Sequence, residues 1–147
     1  MNPELIFILN LASTWYMVGL IWMVQLVHYP LFAKVGKQDY ETYQRLHQQL
    51  TSIAVGPAML VEAFSSVLMG IYPIDGIPPS VIFSGIGLVF VIWISTAALQ
   101  VPCHGKLNHG YDKPTHQFLV NSNWIRTIAW SARGVLVGWV AWKLITG

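Results

Sequence analysis

Charge is scarce in this 147-residue sequence: Lys, Arg, Asp and Glu make up 10% of it, against about 25% in an ordinary soluble domain. So little polar surface cannot cover a chain that is 54% hydrophobic and carries seven tryptophans, which excludes a water-soluble globular reading. A single cysteine, Cys103, excludes an internal disulfide. The formal net charge is only +2, and no Lys/Arg run is interleaved with stacking aromatics, so nucleic acid is excluded as a partner. Walker, GxSxG and HExxH motifs are absent, as are internal repeats and low-complexity tracts. The opening MNPELIFILN has no basic n-region, and its apolar stretch runs on without a small-residue cleavage pattern. It is therefore expected to be a retained span and not a signal peptide.

What the sequence does have is long apolar runs. A membrane helix needs about 20 mostly apolar residues, and windows near 5–27, 51–72, 81–101 and 124–145 qualify. The fold class expected is all-α, an integral membrane four-helix bundle forming one domain over residues 1–147, embedded in a lipid bilayer. Pro30 is expected to close the first span and Pro102 the third; Pro73, Pro78 and Pro79 fall in the short second connection. Pro57, after Gly56, lies early in the second span. KVGKQDYETYQRLHQQL, between spans one and two, reads as an amphipathic segment, either interfacial or an extension of span two.

Connections one and three share a side and hold Lys34, Lys37, Arg45, Lys106 and Lys113, whereas the other side has only Lys143. The positive-inside rule then puts both termini outside the cytoplasm, in a cell inner membrane or plasma membrane.

Two arginines interrupt the fourth span. Arg126 and Arg133 are two turns apart, roughly 10 Å along one helix face. Counting from the basic side, Glu62 lies roughly 16 Å deep and Arg133 roughly 13 Å deep, which predicts an ion pair. A lone charge at mid-bilayer costs ~2.5 to 3.5 kcal/mol or more, so buried ionisable groups find partners. At the shallower level of Arg126 the sequence offers Gln25 and His28, Gln100 and His104, and Asn123, each pair spaced to share a helix face. His47, His109 and His116 read as solvated, and HGKLNHGYDKPTH matches no zinc spacing.

Together, VQLVHYPLF (24–32), VGPAMLVE (55–62), QVPCHGKLNHGYD (100–112) and NWIRTIAWSAR (123–133) resemble a group of small bacterial four-helix membrane proteins of unassigned function. A proline motif closing span three, followed by Asn-x-x-Arg opening span four, is similar to the anthrone-oxygenase-like membrane family. A fainter likeness is to the membrane protoporphyrinogen oxidases, which are haem-associated. That kinship points by motif position to His28, Asn123 and Arg126.

The residues and the resemblance lead to two readings. In one, the chain is an oxidoreductase for a hydrophobic planar small molecule, with His28, His104 and Glu62 as catalytic groups. Gln25, Gln100, Asn123, Arg126 and Arg133 would then bind the substrate, and His28 and His104 would either ligate haem or a transition metal or serve as acid and base. Imidazole suits both acid–base work and ligation, and arginine offers a fixed fork to an anion. In the other, the polar seam only fixes helix order in a non-enzymatic accessory subunit or a carrier of a lipid-soluble compound, with a homo-oligomer as one assembly.

Overall fold

The computed structural model describes residues 2–147. They form four long helices: α1 Pro3–Phe32, α2 Tyr40–Ile71, α3 Pro79–Leu107 and α4 Lys113–Thr146, each long and apolar enough to cross a membrane. Among the described residues there is no strand. α1 packs against α2 and α4, and α3 against α2 and α4, so the four form a closed ring with α1 and α3 on a diagonal. Large apolar side chains such as Ile53 (72% exposed), Phe90 (68%) and Val135 (74%) point outward, as lipid-facing surface does. This is a multi-pass membrane protein of the all-α four-helix class.

Each helix start follows from local chemistry. Asn2 caps α1, its side-chain oxygen accepting from the Glu4 and Leu5 amides at 2.8 and 3.2 Å. Asp112 caps α4 by accepting from the Thr115 amide at 2.9 Å, and hydrogen bonding from Thr115 holds its carboxyl below the ordinary carboxylate range. Gly76, at φ 78°, lets the 72–78 connection turn where a side chain would strain it.

Two boundaries differ from expectation. Pro30 and Pro102 do not end their helices; each follows a five-residue π-helical turn, Val24–His28 in α1 and Thr96–Gln100 in α3, and the helix runs on. A proline in a helix lacks an N–H and crowds the carbonyl four residues back. Widening the preceding turn to i→i−5 bonds, Tyr29 N–H to Val24 O and Val101 N–H to Thr96 O, shifts the carbonyl ladder ahead of the ring. The amphipathic segment resolves as an extension: from Tyr40 it is the first three turns of α2, with Tyr40, Gln44 and His47 buried.

Candidate functional site: a polar layer and a lateral cavity

Two polar layers cross the bundle. In the first, Glu62 and Arg133 are each 1% exposed and pair at 2.8 Å, as their sequence depths predict. Every helix contributes. From α1, the Thr14 hydroxyl donates to Glu62 Oε1 at 2.9 Å, and from α4 the Trp130 indole donates to Glu62 Oε2 at 2.9 Å. Arg133 also donates to the Gly85 carbonyl of α3 at 2.5 Å, to Asn10 Oδ1 at 3.2 Å and to Ser66 Oγ at 3.1 Å. A Cβ at Gly85 would stand 3.3 Å from Arg133 Nη1, so the small residue is what lets the guanidinium reach that carbonyl. Both Glu62 oxygens and all three guanidinium nitrogens are thus engaged with protein.

The second layer lies toward the basic ends of the helices, around Arg126. Here the cation has no carboxylate within ion-pair distance: the Glu62–Arg133 pair is the only salt bridge among the described residues. Arg126 is 8% exposed. It donates through Nε to Asn123 Oδ1 at 2.9 Å, through Nη2 to the same oxygen and to the Tyr29 hydroxyl at 3.3 Å, and through Nη1 to Thr96 Oγ1 at 3.4 Å. Asn123 is itself aimed by Gln25, whose Oε1 accepts from Asn123 Nδ2 at 2.7 Å while its Nε2 donates to the Val120 carbonyl at 3.2 Å. Gln25 and Asn123 therefore set the direction of Arg126 and do not line the cavity beside it.

That cavity, about 380 Å³, lies among all four helices. Its polar end carries Arg126, Tyr29, His104, His47, Gln100 and Thr96; its apolar body is walled by Met17, Ile21, Val55, Met59, Trp93 and Trp130. The wall is interrupted between α2 and α3, where the lining residues Ser52 and Leu60 on one side and Trp93 and Val101 on the other are exposed. Leu60 and Trp93 lie well inside their spans, so the gap faces lipid.

Of the residues singled out in sequence, Gln100, His104 and Arg126 meet in this cavity. Gln100 is held by Ser95 and Ser122, each at 3.1 Å. His28 stands one layer behind, with Nε2 2.7 Å from His47 Nδ1. Glu62 and Arg133 belong to the other layer, and the Trp130 ring, which donates to Glu62, also lines the cavity.

Three ring-bearing side chains escape the sequence reading. His47, expected to be solvated, is 8% exposed and lines the cavity, because α2 begins at Tyr40, well before its apolar run. His116, likewise expected to be solvated, is 6% exposed with Nε2 2.8 Å from the Tyr29 carbonyl, because the first turn of α4 packs on α1. His109 is exposed as expected. Tyr29, flanked by His28 and Pro30, had been hidden by its neighbours; its hydroxyl lies 3.1 Å from His104 Nε2.

The two histidines proposed as metal or haem ligands are committed elsewhere. His104 uses both ring nitrogens, toward Tyr29 at 3.1 Å and Gln44 at 2.8 Å, and His28 Nε2 meets His47. Among the described residues no group of three or more His, Cys, Asp or Glu is arranged to hold a metal ion. As arranged, these rings do not fit a shared metal or haem. No protein family, curated protein or solved structure matches the chain.

Proposed function

We propose that this protein takes a lipid-soluble molecule bearing one anionic group from the bilayer into the cavity, and that the imidazole–phenol cluster acts on it as acid and base. The observation that carries the reading is Arg126, a buried guanidinium without a carboxylate partner, aimed into a mostly apolar cavity that opens toward lipid. Burying an unpaired charge is costly, and an anionic ligand relieves that cost. The apolar body takes the rest of the molecule, as in small-molecule sites generally. By the positive-inside rule the polar end of the cavity lies on the cytoplasmic side.

Trp93 and Trp130 line the cavity and report occupancy. A pyrene-labelled fatty acid is expected to quench them and the matching fatty alcohol to bind more weakly. Arg126→Lys keeps charge but loses the fork, and Arg126→Gln loses both. Charge-assisted hydrogen bonds are worth about 1.5–3 kcal/mol, so Arg126→Gln should weaken the acid roughly ten- to hundredfold and leave the alcohol unchanged. Equal affinities of wild type and Arg126→Gln for the acid would overturn the reading.

A further inference from the structure

We infer that the cavity takes up lipophilic weak acids in their neutral form and deprotonates them on arrival, with Tyr29 relaying the proton to His104 and Arg126 holding the anion. This deepens the reading above and rests on it.

The argument starts from how such a molecule reaches the site. A carboxylate or phenolate pays a large desolvation penalty in hydrocarbon, so a weak acid in the bilayer travels mainly as its uncharged form. A fixed guanidinium recognises the anion. A proton must therefore leave between the lipid-facing gap and Arg126, and the cavity needs a base beside the cation.

Tyr29 and His104 have that geometry. The Tyr29 oxygen accepts from Arg126 Nη2 at 3.3 Å, which leaves its own O–H to donate to His104 Nε2 at 3.1 Å. For Nε2 to accept, His104 must carry its proton on Nδ1, whose neighbour is the Gln44 amide at 2.8 Å. As placed, Gln44 presents its nitrogen to Nδ1, and its oxygen, Oε1, is buried without a partner. A half-turn of the amide puts the oxygen on Nδ1–H and turns the nitrogen to the position the oxygen held, and which end of an amide faces a partner is decided by the hydrogen-bond network. The chain then points one way: Arg126 donates to Tyr29, Tyr29 to His104, and His104 to Gln44.

A neutral acid entering between Arg126 and Tyr29 gives its O–H proton to the Tyr29 oxygen as the Tyr29 proton passes to His104 Nε2. One O–H bond breaks at the ligand, one forms at Tyr29, Tyr29 loses its original proton, and an N–H forms at His104. The products are a bound anion and an imidazolium, with net charge unchanged. The ionisable groups facing His104 are Tyr29 and His28 of α1, His47 of α2 and Arg126 of α4. In the empty cavity a second cation beside Arg126 would stand unopposed. An anion seated between the two compensates both, so proton transfer and anion capture depend on each other.

The test uses an alkylated 4-nitrophenol, whose phenol and phenolate absorb at different wavelengths, added to detergent-purified full-length protein in weakly buffered solution. An opposite charge close by lowers a weak acid's pKa by about 1–3 units. One pH unit below the free probe's pKa, the bound probe is therefore expected to be mostly phenolate, with little proton released to solvent. His104→Gln still accepts the Tyr29 hydrogen bond but cannot take the proton. In that variant the probe should either stay neutral or release about one proton per molecule bound, as the proton balance requires. A probe bound to wild type as the phenol, or one whose full proton appears in solvent, overturns the relay while Arg126-dependent capture of the fatty acid still upholds the binding reading. If neither probe binds, both fall. Nitrogen-15 NMR of His104 gives a ligand-independent check: protonation at Nδ1 is expected, and protonation at Nε2 overturns the relay.

Discussion

At the residue scale the two arginines of α4 have opposite situations two turns apart. Arg133 spends its donors on Glu62, Gly85, Asn10, Thr14 and Ser66, all inside the bundle. Arg126 has amide, hydroxyl and phenol partners and no carboxylate. The first arrangement ties four helices together; the second leaves charge to be matched from outside. Removing one member of a buried pair strands the other and costs about 3–5 kcal/mol. Glu62→Gln and Arg133→Gln should each lower the thermal midpoint in detergent sharply. Their double variant should lose less than the sum, with a coupling of about 0.5–3 kcal/mol. Strictly additive losses would show that the pair contributes nothing as a pair.

At the element scale the π-helical turns decide which side chains reach the cavity. A regular helix advances about 100° per residue, so Tyr29 would stand about 120° from the buried Met17, and His104 about 120° from the buried Ile92. One extra residue in the turn brings each to about 20°. Both turns are followed, one residue later, by a proline. Deleting Ala97, an exposed residue within the α3 turn, removes the extra residue, so His104, then eleven residues from Ile92 on a regular helix, should stay about 20° from it and keep facing Tyr29 and Gln44. Helix content by circular dichroism should hold, and binding of the anionic probe should stay within about tenfold of wild type, less than the loss of one good hydrogen bond to charge. A larger loss would mean that the extra residue does more than set the facing of His104.

For the whole molecule, the consequence of the ring arrangement is a cavity walled by all four helices but parted between α2 and α3. Filling it should abolish binding without unfolding the bundle, since its volume is open space. Val55→Trp places a large ring there, whereas Ile53→Trp faces lipid and serves as control. Quenching by the pyrene-labelled acid should disappear in the first and persist in the second, with similar melting in both. Persistence in both would place the ligand elsewhere.

Composition and apolar run length determined the membrane, the helical class and the number of spans, because hydrocarbon admits only backbones that satisfy their own hydrogen bonds. Depth counting reached the Glu62–Arg133 pair for a similar reason: helical rise is constant, so equal depth in a ring of four helices puts charges within reach. Neither route could find Tyr29, Gln44 or His47. Their inward facing depends on π-helical turns that prolines 30 and 102 accompany without ending the helix, and on polar turns at the start of α2 that hydropathy assigns to a loop. The division of labour between Arg126 and Arg133 also came only from tertiary structure, since which acceptors surround a guanidinium is set by the packing of four chain segments at once and by no local pattern in any of them.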